Sequence, residues 1–131
     1  MAKYAYPAIF TPEADGGYSI LFPDLEGCYT FGENLQDGIE MAQDALALTL
    51  YGYEKDAREI PVPSIPPTLS LNEEEFINYI ACDTMKYRKM YNNKAVKKTL
   101  TIPEWLNETA TSMGLNFSQI LQEALMQKIQ G

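Results

Sequence analysis

What this chain can do chemically is limited first by what it lacks. It has no histidine, so the usual neutral-pH base and the imidazole metal ligand are both missing. Ser64, Ser70, Ser112 and Ser118 have no base in view to activate them. Cys28 and Cys82 are too few for a disulfide framework and lack the spacing of a metal site. They read as reduced thiols in or near a cytoplasmic core. Gly16-Gly17 is a turn rather than a phosphate loop, and no cofactor is implied. Glu40 and Asp44 share one helix face, where carboxylates are ordinarily solvated, and Glu73-Glu74-Glu75 reads as a solvated turn. A more informative pattern lies near the C-terminus. Lys97, Thr99 and Thr101 alternate with Leu100 and Ile102, the period-two signature of a strand with one wet and one apolar side.

The elements around that pattern must position it. The stretch Lys94 to Pro103 contains one short strand and nothing to pair it with. Its backbone groups need partners, and the economical source is the same strand in a second copy of the chain. Pro103 suits the first position of a helix. Trp105, Leu106, Ala110 and Met113 follow at helical spacing, and Gly114 fits a left-handed cap. Asn116 and Gln119 have the spacing of a capping box, with Leu115 and Ile120 placed as a hydrophobic staple. Phe117, Ile120, Leu121, Ala124, Leu125 and Ile129 form the apolar face of a second helix. One strand and two short helices bury too little to stand alone. Leu100, Ile102, Trp105, Leu106, Ile120, Leu121 and Leu125 are therefore expected to form a core shared by a homodimer.

The front of the chain has different grammar. Tyr4 to Phe10 reads as a strand, with Pro7 hinting at an edge or a bulge. A turn over 11–17 leads to a second strand, Tyr18 to Phe22, and another turn to a third, Cys28 to Phe31. Asn34 and Asp37 then open the longest helix, whose apolar stripe runs Leu35, Ile39, Ala42, Leu46, Leu50, Tyr53, with fraying near Gly52. Glu59 to Pro67 is proline-rich and expected to be extended. Phe76 to Cys82 is a fourth strand, Thr84 to Tyr91 a short helix or turn, and Asn92-Asn93 a hinge. The expected fold is α+β: a β-β-β-α-β sheet packed by one helix over 1–91, and a β-α-α unit over 92–131.

Charge divides at the same place. The net charge is −8, but residues 92–131 hold four lysines against three glutamates, 4 − 3 = +1. Residues 1–91 hold six basic and fifteen acidic side chains, 6 − 15 = −9. An acidic body and a mildly basic tail suggest two jobs, a basic protein partner for one and phosphates for the other, with simple solubility as the plainer account. The N-terminus has neither the charge nor the apolar core of a secretion signal, and no run is long enough to span a membrane.

Strand, proline-initiated helix, glycine and capped helix together resemble the ribbon-helix-helix DNA-binding module of the Arc and MetJ class. That resemblance implies paired strands in the major groove. Lys97, Thr99 and Thr101 would face the bases, Lys toward guanine O6 and N7 and Thr toward a hydrogen bond or a thymine methyl. Lys94, Lys98 and the free N–H groups near Phe117 and Ser118 would hold phosphates. The alternative is that these side chains are only the wet face of a dimerisation ribbon.

The wording of the body adds a second resemblance. Tyr-Pro-Ala-Ile-Phe, then Gly-Gly-Tyr-Ser-Ile-Leu-Phe-Pro-Asp-Leu-Glu-Gly-Cys, then Gly-Glu-Asn-Leu resemble the HicB family. The resemblance implies an antitoxin, not an enzyme. Its degenerate ribonuclease H-like body would occlude a HicA-like mRNA-cleaving toxin, and its tail would repress the operon on operator double-stranded DNA. A ribonuclease H site needs carboxylates converging on two metal ions. Its first-strand ligand is absent, because Tyr4 to Phe10 holds no acid; Asp24, Glu40, Asp44 and Asp83 are the remaining candidates. On the toxin side, Asp37, Glu40 and Asp44 of the long helix and the tyrosine-rich hairpin are the expected contacts, with Glu73 to Glu75 a further option. Two other readings stay open, a stand-alone repressor without a toxin and a metal-dependent nuclease.

Overall fold

Alternating residues along four strands decide the architecture of the body. The computed structural model describes residues 3–130. Strands β1 (Lys3–Pro12), β2 (Tyr18–Leu21), β3 (Tyr29–Gly32) and β4 (Phe76–Asp83) form one antiparallel sheet in the order β3-β2-β1-β4. Phe10 stands opposite Ile20 on one side and Phe76 on the other, and Ile20 stands opposite Thr30. Those residues share a face. Pro7 lies in β1, an interior strand, yet β2 pairs with β1 only from Ile9 onward. At Pro7 the β2 side has no ladder to interrupt, which is how a central strand tolerates it.

Helix α1 (Leu35–Lys55) covers the Phe10–Ile20 face. Ala42, Leu46 and Leu50 are fully buried with Tyr6, Ala8, Phe10, Ile20, Phe22 and Ile80 in one core. The approach is closest at Gly32 and Gly38. A Cβ on Gly32 would lie 2.3 Å from Gly38 Cα, so only glycine allows this strand-to-helix contact. Leu35 departs from the expected stripe and is exposed. It sits in the turn before Gly38, past the last rung of β3, where no strand remains to cover it. The helix also runs through Gly52 to Lys55 rather than fraying. It stops because Ala57 takes φ +53°. Arg58 N donates to Tyr53 O and Ala57 N to Glu54 O, the paired bonds of a left-handed helix cap.

The proline-rich connection is extended except for one 3-10 turn at Pro66–Thr68. It is fastened to the body at two places. Tyr6 Oη donates to the Pro61 carbonyl, and Asp24 accepts from both Ser64 N, at 2.9 Å, and Ser64 Oγ. After β4 comes α2 (Met85–Tyr91), whose Tyr87 and Tyr91 rings pack against Tyr51 of α1 at centroid distances of 6.1 to 6.2 Å, Tyr87 stacked and Tyr91 tilted.

Chain contacts divide the protein into two units, Met1–Lys94 and Ala95–Gly131. The second holds α3 (Glu104–Ser112) and α4 (Phe117–Gln130). Pro103 caps α3 from just outside rather than occupying its first turn, and its carbonyl accepts from Asn107 N. Gly114 takes φ +70°, with Leu115 N donating to Ala110 O and Gly114 N to Thr111 O. Residues 92–103 have no regular structure within the chain.

Candidate functional site

Two surfaces carry the residues that could act. The first is the sheet face that α1 does not cover. Period-two alternation places Ile9, Leu21 and Tyr29 side by side there, with Thr11, Ser19 and Phe31 forming the next rung. Tyr29 and Phe31 are each 63% exposed, Leu21 is exposed beside them, and Tyr79 is exposed on the same face at the far edge of the sheet, on β4. A shallow depression of about 390 Å³ lies among these side chains, with Ser70 and Glu75 on its margin. Two carboxylates fold onto the same face. Ser19 Oγ donates to Glu13 Oε1 at 2.5 Å, and Thr11 Oγ1 donates to Glu75 Oε2 at 3.0 Å. The glutamate run is therefore not wholly solvent-directed, since Glu75 is anchored to β1 and also accepts from Asn72 N.

The acids expected on α1 separate in role. Asp37 closes the helix start: its N–H donates to Asn34 Oδ1 at 2.9 Å and its Oδ2 accepts from Glu33 N at 2.8 Å. Glu40 and Asp44 are exposed. Asp44 borders a small depression with Asp83, Lys86 and Tyr87, apart from Asp24, which is occupied by Ser64. The four carboxylates named for two-metal chemistry are thus not gathered at one point. Among the described residues, no three of His, Cys, Asp and Glu come together as metal ligands. No helix of the described residues is long and apolar enough to cross a membrane.

One polar cluster has no signature in the sequence. Glu54, in the last turn of α1, accepts from Tyr4 Oη at 2.6 Å and from Arg88 Nε at 3.2 Å, with Arg88 Nη2 at 3.1 Å. It ties β1, α1 and α2 together. Burial first, then the Glu54 hydrogen bond, pushes the Tyr4 phenol up to about 12. Burial, helped by Asp83 and Glu54, raises the Cys82 thiol to about 11. Neither cysteine is disulfide-bonded. Both are held as thiols, the opposite of what a nucleophile needs.

The second surface is the tail. Lys97, Thr99 and Thr101 are exposed, and so are Lys94 and Lys98. Leu100 (56%), Ile102, Trp105 (66%), Leu106, Ile120 and Leu125 are exposed as well, while Leu121 is half-buried. Among the described residues after Lys94 none is buried. Asn116 Oδ1 accepts from Gln119 N at 3.0 Å, but the Gln119 amide donates to Glu123 rather than back to the cap. The cap leaves the first turn of α4, with Phe117 and Ser118, open at the surface.

Comparison with known proteins adds what geometry alone does not. The model for "HicB_like antitoxin of bacterial toxin-antitoxin system" matches residues 6–124. The chain belongs to this family. Antitoxin HicB of Escherichia coli K12 is 39% identical over 59 residues, 45% of this chain and 43% of that one. Antitoxin HicB 1 of Photorhabdus laumondii is 38% identical over 58 residues, 44% of this chain and 37% of that one. The chain therefore spans about two fifths of the length of these curated relatives. A toxin–antitoxin complex from Streptococcus pneumoniae contains a chain that is 30% identical, with a TM-score of 0.62, over 96% of this chain and 99% of that one. The α+β fold, with a four-stranded antiparallel sheet and four α-helices among the described residues, matches that of this structural relative.

Proposed function

We propose that this chain is the antitoxin of a toxin–antitoxin pair and that it works with two surfaces. Its body, a degenerate ribonuclease H-like sheet, binds a small basic HicA-like mRNA-cleaving toxin and covers the surface that grips RNA. Its tail pairs with a second copy as a ribbon-helix-helix and represses the operon through the major groove. The observation that carries this reading is the family match across 6–124, which includes both body and tail. The charge division supports it: a body of −9 attracts a basic protein and repels RNA.

Inhibition on this reading is steric. An RNA-cleaving protein must present a cationic surface to phosphate, and an acidic partner docks there by electrostatic steering. No step of catalysis is asked of the antitoxin. For the tail, in-register pairing of residues 97–102 would satisfy the backbone that the chain leaves without a ladder. Lys97, Thr99 and Thr101 would then line one side of the ribbon, Leu100 and Ile102 the other, over Trp105, Leu106, Ile120, Leu121 and Leu125. Lys94, Lys98 and the start of α4 at Phe117 and Ser118 would reach phosphates.

Co-expression with the product of the adjacent reading frame tests the reading. A small basic toxin should lose its lethality and co-purify with this chain in the cytoplasmic fraction. A toxin that stays equally lethal would refute the antitoxin role and leave a stand-alone repressor. Operator binding is tested separately. Lys97→Ala with Thr99→Ala should weaken specific binding while toxin affinity is unchanged, and Lys98→Ala should lower the salt slope by about one unit.

A further inference from the structure

We propose that the toxin docks on the helix-free face of the β2–β3 hairpin, with Tyr29 and Phe31 as anchors and Glu13 and Glu75 as the acidic border. This rests on the antitoxin reading above and adds which surface is used. Two independent features converge on that face. The first is apolar: Leu21, Tyr29 and Phe31 lie exposed on the uncovered side of the sheet, beside a depression of about 390 Å³. Two large exposed aromatics on one strand, beside an exposed leucine on the next and rimmed by polar groups, are a mark of protein interaction sites.

The second feature is the placement of charge. Strand register sets the β1–β2 turn, the β3–α1 junction and the turn before β4 at one end of the sheet, since Tyr18 pairs with both Pro12 and Gly32, and Phe10 with Phe76. Those segments carry Glu13 and Asp15, Glu33 and Asp37, and three consecutive glutamates, without one Lys or Arg. The six Lys and Arg of residues 1–91 fall elsewhere: Lys3 where β1 starts, Lys55 and Arg58 where α1 ends, and the rest on α2. Antiparallel pairing of Lys3 with Asp83 puts the beginning of β1 and the approach to α2 at the opposite end. The body is thus electrically polarised along its strands. Its negative end adjoins the aromatic pair through Ser19 and Thr11, whose hydroxyls hold Glu13 and Glu75 on that face.

Aromatic faces beside carboxylates suit arginine and lysine. The guanidinium stacks on a ring while a carboxylate takes its N–H groups, and lysine stems lie on apolar carbon. A cationic RNA-gripping protein surface has this chemistry, whereas RNA itself would be repelled. The occupant is therefore the basic toxin rather than nucleic acid.

The test measures toxin affinity of the full-length antitoxin by titration calorimetry. Tyr29→Ala with Phe31→Ala should weaken binding on the order of 100-fold, and Glu13→Lys about tenfold or more. Glu59→Lys, an equal charge change away from this face, should change it by less than about twofold. Operator affinity, which reports the tail, should be unaffected by all three. If the aromatic variant fails to fold, Glu13→Lys at an exposed side chain carries the same test. Normal affinity in the face variants, with binding lost in Glu40→Lys and Asp44→Lys, would overturn the proposal and move the site to α1. Smaller assemblies with unchanged toxin affinity would overturn it too, making the face a contact between copies of this chain. A wild-type chain that binds no toxin would instead sink the antitoxin reading itself.

Discussion

At the residue scale, Glu54 joins more of the body than any carboxylate that sequence spacing picks out. It takes a phenol from β1 and a guanidinium from α2, and its own side chain is 12% exposed. Glu54→Ala should cost about 2 kcal/mol, since two charged hydrogen bonds are lost but Arg88 is partly exposed and rehydrates. A lower urea midpoint with an unchanged slope would show this. Nothing in the sequence spacing announces the cluster, because its members are 50 and 34 residues apart. The same neighbourhood gives a pH dependence with a definite sign. Cys82 is raised from 9.0 to about 11 and Tyr4 from 10.0 to about 12. The fold holds these protons more tightly than the unfolded chain does, so their contribution is complete below pH 9. It is lost as pH rises through about 11 and 12. Urea midpoints should therefore fall from pH 9 upward, and Cys82→Ala should flatten the first part of the fall.

At the scale of elements, the helices show what local signals convey. Gly114 is legible as a left-handed cap because glycine is the ordinary residue there, and it takes φ +70°. The end of α1 is not legible, because Ala57 adopts the same conformation without glycine's permissiveness. An alanine gives no stop signal, and Gly52 nearby gives a false one. The strain predicts that Ala57→Gly stabilises the body by about 1 kcal/mol, measurable as a higher urea midpoint. A drop instead would mean that the helix end is set by tertiary packing. The strands are readable from alternation to within a few residues. The exposure of Leu35 is not, since helical periodicity says which face points inward but not where the sheet beneath runs out. Alternation likewise gives two faces for Tyr29 and Phe31. Only the packing of α1 on the Phe10–Ile20 face shows that theirs is the side it leaves uncovered.

Across the whole molecule, the two units differ in what they bury within one chain. Residues 3–94 contain a core around Phe10, Ile20, Leu46 and Leu50, whereas residues 95–130 leave Leu100, Ile102, Trp105 and Leu125 in solvent within one chain. Apolar surface on that scale calls for a partner, and the chain leaves residues 97–102 without a strand to pair. Composition alone carries this division, through the change from −9 to +1 near residue 92 and the shortness of the tail helices. The proposed repression requires the tail to pair with a second copy of the chain. Sedimentation equilibrium of the chain and its Leu100→Asp variant, at micromolar concentration, tests that pairing. The wild-type chain should sediment as a dimer or a multiple of it, and the variant as single protomers, because the substitution places charge in the shared core. A wild-type chain that sediments as one folded protomer throughout that range would contradict it.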